Sequence, residues 1–319
     1  MSKLGLRLWL LVGGVAMVLA IFLNDPYQIS LVNLVAVSVL IVASLRFVML
    51  IGEVSFATAA FVGFGAYGAG IATTLLNWPF IVALFVGALV TVAASSAFGA
   101  ITLRSKGPFF MVIGLAFTEA VRILYSKFDI IGGTSGIVRI FPPDAIAKWM
   151  PAFVVGIVLC LLLVLYIAER SDFGKVLRAI RDNEDVVRTA GINVLFCKIS
   201  CFALASFCAG MAGSLQAFVN NVISPADFNY HLAAIALACV KVGGEDSFLG
   251  SIFGAILLTL LGSYALEFGQ AESLFFGAAI IVSMLTMPKG IAGLLSKKQR
   301  AWGPGRLSPL LQKSNPRKI

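Results

Sequence analysis

Apolar residues run along this chain in long unbroken blocks separated by short polar breaks. Ten blocks stand out, at 5–23, 29–46, 55–76, 79–102, 108–125, 151–168, 199–219, 228–242, 249–266 and 272–288. The hydrocarbon layer of a bilayer needs about 20 apolar residues rising 1.5 Å each, so these blocks predict membrane-spanning helices. The eighth and tenth are short or interrupted. Strands of a membrane barrel would instead alternate apolar and polar over roughly 10 residues, a pattern the blocks lack.

Two polar segments are longer than turns. Residues 126–150, SKFDIIGGTSGIVRIFPPDAIAKWM, are rich in Gly and Pro and predict a loop outside the membrane. Residues 169–198, ERSDFGKVLRAIRDNEDVVRTAGINVLFCK, read as helix: Val176, Leu177, Ile180, Val186 and Val187 make a partly apolar face among charges, and Asp185 and Arg188 stand at i,i+3. Gly191 is a plausible stop. This segment is either a solvated surface helix or a docking element, and its pattern alone leaves both open.

Composition sharpens the class. The chain is 60% hydrophobic and 12% charged, with a mean hydropathy of +0.99. Soluble domains carry roughly 25% charge. The expectation is an all-α polytopic membrane bundle of about ten helices, with residues 1–295 as the membrane domain and a basic, disordered tail over 296–319. Residues 1–23 resemble a signal peptide but lack a clear cleavage site, so they read as an uncleaved first helix.

The formal charge of +9 follows topology and suggests no nucleic-acid surface. With the N-terminus in the cytoplasm, Arg46, Arg104, Lys106, Arg170, Lys175, Arg178, Arg181, Arg188, Lys198, Lys241 and the tail fall inside. Only Lys127, Arg139 and Lys148 fall outside. Both termini are then cytoplasmic.

Candidate chemistry is sparse. Gly63, Gly65 and Gly68 spell G-x-G-x-x-G, but no strand precedes them and the next acidic residue is Glu119. Inside an apolar helix they read as packing, because small residues let backbones approach where no hydrophobic force acts between helices. Ala59, Gly63, Ala66 and Gly70 form one small face, which Gly65 and Ala69 widen. Gly250 with Gly254, and Ala209 with Gly213, give two more such runs. The five cysteines form no C-x-x-C pair and read as buried hydrophobes, and the lone His231 has no partner set for a metal. No G-x-x-x-x-G-K-[ST] occurs, so ATP hydrolysis by that route is excluded.

Ionisable residues inside spans are costly and hence of interest. Glu119 and Arg122 lie at i,i+3 in the fifth span, as a structural pair or as part of a solute path. Glu53 lies at the inner edge of the third span, with either a structural or a gating role. Glu267 and Glu272 sit near an outer interface.

GEVSFATAAFVGFGAYGA at 52–69, RSKGPFFMVIGLAFTEAVRIL at 104–124, GGTSGI at 132–137, the segment 169–198, ISPADF at 223–228, VGGEDSFLGSIFGAILL at 242–258 and MPKGIAGL at 287–294 occur in this order. In these blocks the chain resembles the branched-chain amino-acid ABC permease family, LivM-type subunit. The resemblance implies an importer with a second homologous permease subunit, two cytoplasmic ATPases that use ATP and Mg, and a periplasmic solute-binding protein, all in a bacterial inner membrane. It implies no cofactor in this chain. Gly174, Leu177, Ala179, Ile180, Glu184 and Gly191 would couple to the ATPase. Glu53, Ser55, Thr58, Glu119 and Arg122 are candidates for the solute path, and Gly63, Gly65, Gly70, Gly250 and Gly254 for helix packing.

The chain departs from the family where Glu53, Ala57 and Thr58 replace Gln, Gly and His, at Ala234 or Ala236 where a Glu is common, and at Glu245-Asp246 where a Gly is usual. Those departures widen the solute class to urea, short amides or other amino acids. A stand-alone secondary transporter or channel is the alternative from a different class, and a membrane scaffold is the third.

Overall fold

The computed structural model describes residues 25–265 except 104, 106, 144, 145, 147 and 148, together with 277 and 281. The first and tenth predicted spans, Lys3, Arg7, Arg104, Lys106, Lys148, Glu267, Glu272, the 287–294 block and the basic tail lie outside the described residues.

Eight of the apolar blocks fall within them, and each contains a helix. These are α1 (Pro26–Met49), α2 (Thr58–Thr74), α3 (Phe80–Thr102), α4 (Pro108–Lys127), α5 (Met150–Arg170), α8 (Val194–Asn220), α9 (Tyr230–Gly243) and α10 (Phe248–Ala265). Between α5 and α8 lie α6 (Asp172–Asp182) and α7 (Glu184–Thr189). Five helices, α1, α3, α4, α5 and α8, are long and apolar enough to cross a membrane on length and composition. The chain is thus an all-α multi-pass membrane protein.

The polar segment 169–198 is shorter than its sequence suggests. Asn193 caps α8, its side chain accepting the Phe196 N–H at 3.1 Å, so Lys198 already belongs to that helix. Asn183 similarly accepts from the N–H groups of Asp185 and Val186 and starts α7. A side-chain acceptor at this position satisfies amides that have no helical partner.

Helix α1 is the central post. Every residue from 39 to 51 is buried, and the helix packs on α5, α8 and α10. A helix apolar all round belongs in such a position. Helix α2 is clamped between α3 and α8. A Cβ on Gly65 would overlap the Gly210 backbone, one on Gly213 the Val62 carbonyl, and one on Gly87 the Gly65 carbonyl. Two hydroxyls bridge this three-helix contact. Ser214 Oγ donates to the Gly65 carbonyl at 3.0 Å, and Thr91 Oγ1 lies 3.3 Å from the Phe61 carbonyl.

The G-x-G-x-x-G glycines therefore face three different neighbours. Gly63 meets the side chains of Tyr125 and Phe228, Gly65 meets α8, and Gly68 meets Gly87 of α3. Gly70 meets Ile137, Ile140 and Ile223. Gly65, which widens the 59/63/66/70 face in the sequence, makes the close approach to α8, and Gly68 makes a further approach to α3. Gly243, Gly250 and Gly254 join α9 to α10: a Cβ on Gly243 would overlap the Gly250 carbonyl, and one on Gly254 the Cys239 carbonyl.

The bundle has two chemically distinct ends. Arg46, Arg170, Arg178, Arg181, Lys198 and Lys241 gather at one, the basic end. At the other, the loop 126–150 winds through two short 3-10 turns and pairs with the α8–α9 connection. Strand β1 (Ile137–Val138) runs antiparallel to β2 (Val222–Ile223), with Ile137 opposite Ile223. Gly136 has φ +74, and a Cβ there would overlap the Ile223 carbonyl, so the GGTSGI motif holds the two loops together.

Candidate functional site

At the basic end the chain between α1 and α2 is not helical. Residues 50–57 turn at Gly52 (φ +83) and pass mostly buried into α2. Buried non-helical backbone at membrane depth needs partners from neighbouring helices. Thr118 Oγ1 of α4 donates to the Phe56 carbonyl at 3.0 Å, and Thr58 Oγ1 donates to the Ser55 carbonyl at 3.0 Å. The Glu53 carboxylate accepts the N–H of Gly107, the residue that precedes α4, at 3.0 Å. A carboxylate at a helix N-terminus is also favoured by the helix dipole. Glu53 thus ties the α1–α2 connection to the start of α4.

Ser55 is 1% exposed, and its hydroxyl has no hydrogen-bond partner among the described residues. Thr58 lines a cavity of about 10 Å³ with Ser44, Phe61, Phe202, Ser206 and Ala209. That volume suits about one water molecule. Glu119 and Arg122 are far from this group. Glu119 lies about 18 Å along α4 from Gly107 at 1.5 Å per residue. The structure therefore separates the five candidate path residues into Glu53, Ser55 and Thr58 near the basic end, and Glu119 with Arg122 farther along α4, partly exposed beside the first turn of α9. Arg122 Nε donates to Glu119 Oε2 at 2.7 Å, and Glu119 Oε1 accepts the Tyr230 N–H at 3.4 Å.

The most buried ionic group was not singled out by sequence reasoning. Arg46 at the end of α1 makes two bonds to Glu169 at the end of α5, at 2.6 and 2.9 Å, and also donates to the Glu245 carbonyl at 3.0 Å. Arg178 of α6 donates to the Glu169 carbonyl at 3.0 Å. Glu169 stands beside Arg170 in the sequence, but its buried partner lies 123 positions away. No local spacing could have revealed it.

These bonds seat α6 and α7 on the basic end. Gly174, Leu177 and Ile180 are buried. A Cβ on Gly174 would overlap the Glu169 carbonyl, so this glycine allows α6 to turn tightly against the end of α5. Glu184 bridges Arg188 at 2.6 Å and the buried Lys198 at 3.2 Å. The Asp185–Arg188 spacing seen in the sequence gives only a 3.9 Å approach on the surface.

Among the six proposed coupling residues, four thus face or bind the bundle. Ala179 and Gly191 are exposed, as is Val186. Arg181 reaches back to Asp246 at 3.8 Å. It borders an open cavity of about 350 Å³ with Arg46, Gly52, Lys241 and Glu245. The segment is a two-sided element, one side locked into the ends of α1, α5 and α8 and the other open.

A bundle of this kind, with this element on it, has known relatives. Residues 27–284 match the model of a family described as branched-chain amino acid transport system / permease component. The chain belongs to this family. The permease is 26% identical over 261 residues to the high-affinity branched-chain amino acid transport system permease protein LivM of Salmonella typhimurium, covering 72% of this chain and 61% of that protein. It is 24% identical to the probable branched-chain amino acid transport permease protein LivM of Methanocaldococcus jannaschii, covering 66% of this chain and 67% of that one. It is also 27% identical to the ribose import permease protein RbsC of Escherichia coli K12, covering 57% and 63%. The chain thus spans about three fifths of the length of the Salmonella relative.

Proposed function

We propose that this permease is one membrane subunit of an ATP-driven importer for branched-chain amino acids in a bacterial inner membrane. A second, homologous permease subunit completes the path, a periplasmic binding protein delivers the solute, and two cytoplasmic ATPases dock on the basic end. That end is then cytoplasmic, as the distribution of Lys and Arg favours. The observation that carries this reading is the two-sided α6–α7 element. Its outer side, with Ala179, Val186 and Gly191, is free to receive a partner. Its inner side holds the ends of α5 and α8 through Arg178–Glu169 and Glu184–Lys198, and Glu169 in turn holds the end of α1 through Arg46.

The mechanism follows from that connection. Closure of the ATPases displaces α6 and α7. Because Glu169 also binds Arg46, the movement passes to α1 and α5 together. The glycine contacts among α2, α3 and α8 present few side chains to interlock, so those helices can tilt against one another. Two packed arrangements, one open to each side, would give alternating access.

Uptake of labelled leucine in cells with and without the gene, competed with isoleucine, valine, urea and acetamide, tests this reading. Loss of leucine uptake that returns on complementation supports it. Unchanged leucine uptake with loss of urea or amide uptake would keep the ABC importer and change its solute. Uptake in vesicles driven by an ion gradient without ATP would instead favour a stand-alone transporter.

A further inference from the structure

Helix α4 is held by one side only. Phe110, Gly114, Thr118, Val121 and Tyr125 are buried, and the rest of the helix is largely uncovered. In its most apolar stretch 28% of residues are buried, against 72% in α1. Leu115, Glu119, Arg122 and Ser126 follow at helical spacing and so share one line along α4. The side chains of Glu119 and Arg122 are 26% and 36% exposed, and both belong to a helix that is otherwise apolar. Arg122 uses Nε for Glu119. Its two terminal nitrogens have no hydrogen bond among the described residues.

An uncovered ion pair at this depth is expensive in hydrocarbon and is sustained only beside water, a polar partner or a solute. The pair itself indicates which solute. A neutral polar molecule can hydrogen-bond to both groups but neutralises neither charge. A zwitterion can satisfy both, its carboxylate taking the free fork of Arg122 and its ammonium taking Glu119. Opening the pair then leaves no charge without a partner, so the large penalty of a lone charge is avoided at every stage. The Tyr230 N–H, at the first turn of α9, steadies the Glu119 carboxylate while it changes partner. Leu115 and Ile123, one turn to either side of Glu119, offer an apolar wall to an aliphatic side chain.

We infer that Glu119 and Arg122 form a transfer station for zwitterionic α-amino acids, at which the solute's two charged groups replace the ion pair. This rests on the amino-acid importer reading above. The test measures labelled-leucine uptake by the assembled transporter in cells, per amount of this chain in the membrane, for wild type, Glu119→Gln, Arg122→Gln and the double variant. All three variants are expected to lose uptake by about tenfold or more, with the double variant no better than the single ones.

The double variant separates the station from a structural pair, because it contains no unpaired charge. Its return to wild-type uptake, or its failure to reach the membrane, would overturn the station and leave a structural pair. A wild type that moves none of leucine, isoleucine and valine would instead overturn the importer reading beneath it.

Discussion

Arg46 and Glu169 meet at the basic end through two parallel bonds, with the arginine side chain 1% exposed. Removing Glu169 leaves Arg46 buried without a counter-charge, which costs about 3–5 kcal/mol, whereas Glu169 without Arg46 still has Arg178 at 3.5 Å and loses less. Glu169→Gln and Arg46→Met should each lower the unfolding temperature in detergent and reduce the amount of chain in the membrane. The combined substitution should be milder than either alone. Arg46→Lys should not restore the wild type, because an ammonium cannot make the two-point contact. A double variant as unstable as the sum of the singles would contradict this coupling.

The glycines divide by what stands beside them. Gly65→Ala places a Cβ against the Gly210 backbone, and no side-chain rotation relieves it. This variant should fail to accumulate or should unfold far more readily than wild type. Gly191 has φ +81 and no neighbour within 4 Å. Gly191→Ala should cost only about 1–2 kcal/mol from its backbone conformation. Thermal unfolding of the two purified variants checks the order.

The outer side of α6–α7 should tolerate charge without loss of fold. Ala179→Glu and Val186→Asp alter exposed positions, where substitutions usually change stability within about 0.5 kcal/mol. Both should keep the chain in the membrane while the ATPase proposed to dock there no longer co-purifies with it. Leu177→Asp, on the buried side, should instead destabilise the segment itself. Undiminished co-purification by Ala179→Glu and Val186→Asp would remove this surface from the docking site.

One carboxylate in α6 gives a pH signature. Lys175 holds the Asp172 carboxyl below its ordinary value, first by a hydrogen bond of 2.8 Å and then by its charge. A depressed folded pKa stabilises at pH above the unfolded value and is lost as pH falls through the folded one. Asp172 should therefore titrate below the usual carboxylate range by carbon NMR, and Lys175→Met should bring it back up.

Some of this protein is written in local pattern. Hydropathy and the 3.6-residue period are properties of neighbouring residues, so the apolar blocks at 29–46, 79–102, 108–125 and 151–168 already mark α1, α3, α4 and α5, and the charged pattern after Arg170 already marks an amphipathic element. The pairing of Glu119 with Arg122 is also local, being one turn of helix.

Tertiary structure decided what those elements face. A membrane helix that is apolar all round has no polar stripe to distinguish its buried side. Packing alone therefore placed Gly65 against Gly210 and left Gly63 to Tyr125 and Phe228. It turned Gly174 inward and Ala179 outward. It brought Glu53 to the start of α4 and Arg46 to Glu169. Such long-range contacts are fixed by which backbones can approach closely and which buried charges must find each other, and neither condition has a signature in sequence spacing.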